Sequence, residues 1–245
     1  MKTKLLIVFI IIFLTLPIFT FGYKYEKTID KSFVVDSNFD FELKNCNGNI
    51  DVATYKGNKI LIKIRKYSNS SGSFEKTKVI FKKSDGKLKV SIKRPGNNCR
   101  TSFEFYIKLP RNLSLTVVET INGRIGADGI FGDFSAKTVN GRLSFEGVLD
   151  DAKFATVNGS IGVYLDKPLS GDLSIRSVNG SVKLELDKNS SFFLSSKTTN
   201  GSIKSDFGLH RTKRFIGSKM DGVVNDGKFD IKIQTVNGSV KVLED

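Results

Sequence analysis

Thr138-Val139-Asn140-Gly141-Arg142-Leu143 returns as Thr156-Val157-Asn158-Gly159-Ser160-Ile161. It returns again as Ser177-Val178-Asn179-Gly180-Ser181-Val182 and as Thr235-Val236-Asn237-Gly238-Ser239-Val240, with Thr198-Thr199-Asn200-Gly201-Ser202-Ile203 a close variant. Asn-Gly also occurs upstream at Asn122 and Asn47; from Asn122 onward the steps are 18, 18, 21, 21 and 37 residues. The last step is about twice the others and points to a degenerate or looped-out unit near Asp221-Gly222. A repeat of this length is the mark of a stacked array, and it decides the fold.

Around each Asn-Gly the chain alternates with period two. Val182, Leu184 and Leu186 alternate with Ser181, Lys183 and Glu185, and Phe229, Ile231 and Ile233 with Asp230, Lys232 and Gln234. Such alternation marks strands with one buried face. No sustained 3.6-residue period follows the first 22 residues, so no helix is expected there. Asn-Gly suits a hairpin turn, but a hairpin meander does not need the same corner every 18–21 residues. Stacked coils do, because each must turn where its neighbour turns. The expected fold is all-β: a single-stranded β-solenoid with 18–21-residue coils. Its corner ladder is Asn122-Gly123, Asn140-Gly141, Asn158-Gly159, Asn179-Gly180, Asn200-Gly201 and Asn237-Gly238. Glycine is expected to supply a positive φ, and asparagine to bond its counterpart on the next coil. The acidic end, Leu243-Glu244-Asp245, is expected to blunt an open last edge.

Three segments are expected: 1–22, 23–110 and 111–245. Lys2 and Lys4 precede an apolar run from Leu5 to Phe21, with small residues Thr20 and Gly22 before Tyr23, the layout of a secretory signal peptide. An uncleaved membrane anchor is the competing reading, since 17 residues is the short limit for a span. Residues 23–110 are strand-rich but irregular, and Cys46-Asn47-Gly48-Asn49-Ile50 looks like an early, divergent corner. This part reads as the start of the same β structure, with a separate small domain as the alternative. Two cysteines, Cys46 and Cys99, in an exported chain point to one disulfide; two unpaired thiols are the alternative.

Together these features carry a family resemblance. An exported leader and an early Asn-Gly corner are followed by Ile107-Lys108-Leu109-Pro110, the strand Leu115-Thr116-Val117, serial T-V-N-G corners, and a glycine-containing hairpin near Gly222 and Gly227 before the last corner. The chain resembles, over about residues 30–245, the bacterial β-solenoid domain of unknown function labelled "putative adhesin", which includes LiaG-like envelope proteins. The resemblance implies a right-handed solenoid at or outside the membrane and brings no catalytic residues.

Enzyme motifs are not evident. His210 is the one histidine, which excludes a multi-His metal site; set among Arg211, Lys213 and Arg214, it reads as a surface residue. Phosphate-loop, dinucleotide and nucleophile-elbow patterns are absent. No catalytic residue, cofactor or metal is expected, and the chain is read as a non-enzyme. The formal charge of +14 is concentrated: residues 59–100 hold 13 Lys and Arg against Glu75 and Asp85. Lys59, Lys63, Arg65, Lys87, Lys89 and Lys93 alternate with isoleucines and valines and are expected on one face, with Lys137, Arg176 and Lys197 at equivalent outward positions in the array. A positive stripe of this kind attracts anionic polymers or membranes; a merely solvated face is the bland reading. The expected protein is an exported, periplasmic, cell-surface or secreted adhesin-like module. An accessory in envelope-stress signalling and a carbohydrate-active β-helix enzyme are the alternatives.

Overall fold

The computed structural model describes residues 23–96, 100–209, 211–213 and 217–245. The leader, His210 and Cys99 lie outside the described residues. In chain order the first strands are β1 (Tyr25–Val34), β2 (Asp40–Lys44), β3 (Ile50–Tyr55) and β4 (Lys59–Ser68), followed by helix α1 (Ser71–Lys76). Next come β5 (Lys78–Ser84), β6 (Lys87–Lys93), β7 (Ser102–Pro110), β8 (Leu115–Glu119) and β9 (Ile125–Ile130). The regular array holds β10 (Asp133–Asn140), β11 (Leu143–Val148), β12 (Ala152–Asn158), β13 (Ile161–Leu165), β14 (Leu173–Asn179) and β15 (Val182–Leu186). The chain then forms β16 (Phe192–Asn200), β17 (Ile203–Ser205), β18 (Arg211–Lys213), β19 (Ser218–Val224), β20 (Phe229–Asn237) and β21 (Val240–Glu244).

The all-β class is correct. The architecture is two mixed sheets rather than one single-stranded coil throughout. The first sheet runs β1-β4-β7-β3-β9-β11-β13-β15-β21-β17, and the second β18-β19-β16-β20-β14-β12-β10-β8-β2-β6-β5. Through the array, each coil gives one strand to each sheet, and successive coils pair in parallel, as β10 with β12 and β11 with β13. At both ends, the chain reverses and introduces antiparallel pairs: β1 with β4, β4 with β7, β5 with β6, β16 with β19 and β18 with β19. A tight turn joins β5 to β6 and makes that pair antiparallel; β1, β4, β7, β16 and β19 pair antiparallel across longer intervening segments, and these reversals make the sheets mixed.

The 37-residue step has a different cause from a looped-out unit alone. The hairpin β18–β19 extends the second sheet beyond β16, and the last coil, β20–β21, then threads back between two earlier coils. β20 pairs with both β14 and β16, and β21 with both β15 and β17. The acidic terminus is therefore no edge cap. β21 is an interior strand, and the Asp245 amide donates to Leu186 O at 3.0 Å.

The period-two alternation fills the space between the sheets with one continuous core, from Val35 to Val242. Phe134, Phe145 and Phe154 from three consecutive strands lie 5.5–5.8 Å apart within it. Helix α1, which alternation does not predict, is six residues long and buries none of them. Its N-cap Ser70 accepts from the Ser73 amide, and the Lys66 ammonium donates to the Phe74 and Thr77 carbonyls at its other end. A helix held by its two ends needs no apolar stripe, which is why no 3.6 period announces it.

Candidate functional site

The repeated corner sets one long edge of the molecule, and each of its four residues has its own task. The hydroxy residue points inward: Thr138, Thr156, Ser177, Thr235 and Thr198 are buried. Each donates its hydroxyl to the corner-glycine carbonyl of the adjoining coil, at 2.8–3.2 Å. The asparagines form a ladder of side-chain amides. Asn122 donates to Asn47, Asn140 to Asn122, Asn158 to Asn140, Asn179 to Asn158, Asn237 to Asn179 and Asn200 to Asn237, all at 2.7–2.8 Å. The order follows the threading: Asn237 stands between Asn179 and Asn200.

Glycine serves a purpose other than the expected positive φ. Only Gly48 and Gly123 among the corner glycines have one. At Gly141, Gly159, Gly180, Gly201 and Gly238 an added Cβ would stand 1.8–2.2 Å from the preceding stacked glycine's carbonyl oxygen. The corner backbones lie so close that hydrogen is the only side chain that fits. On the coils from Asn122 onward, the residue before the asparagine lies on the outer side, whereas Cys46, before Asn47, is buried. Ile121, Val157, Val178 and Val236 are 38–41% exposed, and Val139 is half-buried.

The basic residues divide between two outer faces. Lys59, Lys63 and Arg65 lie on β4 in the first sheet; Lys87, Lys89 and Lys93 lie on β6 in the second. The expected single face is thus not formed, because the chain changes sheet between these strands. Lys66, in the same run, points inward. Burial lowers its pKa, and Lys27 and Lys78 lower it further. Carboxylates also claim several of these cations. Arg65 meets Glu26 at 2.7 Å and Glu104 at 3.4 Å. Lys87 and Lys89 each meet Glu42 at 3.0 Å. Burial opposes the charged form of Glu42, but hydrogen bonds from Lys87 and Lys89 prevail and hold its pKa at about 2.

The outer face of the second sheet presents a different column. Lys137, Ala155, Arg176, Gln234 and Lys197 stand in direct register on five successive strands. Lys137, Arg176 and Lys197 are exposed and form no ion pair among the described residues. Lys153, two residues before Ala155 on the same face, joins them; its alternate position in β12 is the signal that identifies it. At ~4.8 Å per strand, the three column cations are roughly 10 Å apart. The nearest carboxylate in the column, Glu119, is held by Lys44 at 3.1 Å.

The opposite face carries a groove of about 890 Å³ on the first sheet. Leu61, Ala53 and Gly126 line it beside Tyr106, Lys63, Lys108, Asp51, Asp128 and Glu146. The Arg124 guanidinium reaches Asp51 at 3.1 Å. Sequence reading missed this groove, although its signal was present four residues after the asparagine, where Gly126 and Ser144, both lining it, are small. Opposed charges line it, so it offers no single-sign ligand site.

Cys46 is disulfide-bonded; the other cysteine of the expected pair, Cys99, lies outside the described residues. No helix among the described residues is long and apolar enough to cross a membrane.

No protein-family model and no curated protein matches the chain. Solved structures do. A putative cell adhesion protein from Clostridium sporogenes is 14% identical, with a TM-score of 0.42, over 89% of this chain and 100% of that one. A putative adhesin from Bacteroides fragilis is 13% identical, with a TM-score of 0.44, over 88% and 97%. A putative lipid binding protein from Parabacteroides distasonis is 11% identical, with a TM-score of 0.33, over 90% and 98%. At such identities and TM-scores, these names carry nothing over to this chain.

Proposed function

We propose that the chain is an exported, non-enzymatic, adhesin-like module that engages anionic, phosphate-bearing components of the cell envelope through the outer face of its second sheet. On this reading the chain is a solenoid of stacked coils with a cleaved leader, akin to LiaG-like envelope proteins. The observation that carries it is the column Lys137, Arg176 and Lys197, whose cations have no ion-pair partner among the described residues. Cations held in register on a rigid sheet focus a positive potential without reorganising, and attraction to a polyanion weakens as salt screens it.

The test is retention of residues 23–245 on immobilised inorganic polyphosphate across a salt gradient. The K137Q/R176Q/K197Q variant is expected to elute at clearly lower salt, with affinity lowered about tenfold, a loss of ~1.4 kcal/mol. Equal retention of the variant and the parent would remove the column from the proposal, and no retention of the parent at low salt would remove the proposal itself.

A further inference from the structure

The corner uses Thr, Asn and Gly for the stack, but its apolar residue faces outward. Ile121, Val139, Val157, Val178 and Val236 occupy one position on five coils that the asparagine ladder shows to be consecutive. At ~4.8 Å per coil they make a straight ridge about 19 Å long. Four of them are 38–41% exposed, at the corner where the strands end, although they are large aliphatic side chains. Cations flank the ridge on both sides. Lys137 and Arg176 stand two residues before Val139 and Val178. Beyond the asparagines, Arg142 is exposed and donates to Ser160 Oγ at 3.0 Å.

We infer that this edge docks onto an anionic lipid bilayer, with the aliphatic ridge entering the headgroup region and the flanking cations meeting lipid phosphates. The inference rests on the anionic-ligand reading above and names its partner. Charge complementarity and shape select the occupant. The ridge is one side chain wide, too narrow to supply the ~800 Å² per partner of a stable protein interface. A bilayer needs no matching concavity, and its interface takes an apolar strip bordered by Lys and Arg. Apolar penetration and charge are each weak alone, and stable attachment needs both.

The test uses residues 23–245, which carry the whole described fold, and vesicles of phosphatidylcholine with phosphatidylglycerol beside vesicles of phosphatidylcholine alone. The variant V139T/V157T/V178T/V236T keeps β-branched residues, and Thr199 already occupies this position on the neighbouring coil. Binding to the anionic vesicles is expected to fall about tenfold, while polyphosphate retention and the thermal midpoint stay unchanged. Because the chain has no tryptophan, V157W supplies a single reporter. Its emission should shift to the blue on anionic vesicles and be quenched by brominated lipid, with glycerol phosphate alone producing neither change. Vesicle binding unaffected by the threonines, or an unshifted V157W, overturns the ridge and leaves the anionic-ligand reading standing. Loss of polyphosphate retention and vesicle binding by the parent overturns both.

Discussion

At Gly159 a single methyl group decides whether two coils can lie together. Its Cβ would stand 1.9 Å from Gly141 O, and both are backbone neighbours that no rotamer change can separate. Gly159→Ala is therefore expected to cost about 3 kcal/mol, the upper range for overpacking. Gly72→Ala is the control: nothing lies within 4 Å, and the site is inside α1. There alanine should be neutral or stabilising by up to about 1 kcal/mol. Paired urea titrations measure the contrast; a similar midpoint for both variants would contradict the close approach. The recurrence of Asn-Gly marked these residues, but not the reason for the glycine. A positive φ and a lack of room call for the same residue, and only the neighbouring coil tells them apart.

Between elements, Glu42 on β2 links three strands. It lies 3.6 Å from Lys44 on its own strand and 3.0 Å from Lys87 and Lys89 on β6, while Lys44 also reaches Glu119 on β8. Its folded pKa of about 2 lies below the ordinary 4.5. Its contribution is thus complete above pH 4.5 and disappears as pH falls from there to about 2. Glu42→Gln should lower stability at pH 7 by about 1–2 kcal/mol and flatten the decline of thermal midpoint below pH 4.5. Parallel pH profiles for variant and parent would show that the cluster is not the source. Alternation at Leu88 and Val90 identified β6 as a strand with its lysines outward. It could not show that β4 and β6 belong to different sheets, because sheet membership depends on the path of the chain between them. The basic face anticipated from both strands is split for that reason, whereas Lys137, Arg176 and Lys197 share one column because their register repeats with the corner.

Across the whole molecule, the interior position of β20 and β21 governs stability. Each has a strand on both sides, so removing residues 229–245 opens a gap in both sheets rather than trimming an edge. That truncation is expected to abolish cooperative unfolding, seen by calorimetry, and to render 192–228 sensitive to protease. A truncated chain with a sharp, parent-like transition would show that the two coils do not depend on this bridge. Spacing alone could not reveal the threading, since Asn237 bonds to Asn179, 58 residues away, as readily as to Asn200, 37 away. In a chain synthesised from its N-terminus, β16 and β17 emerge before the strands that join them to the rest. The site must stay vacant until the final segment arrives, so an interrupted product cannot pass as finished. The unpaired edges it would leave on β14, β16, β15 and β17 are the kind of surface that aggregates and that chaperones recognise.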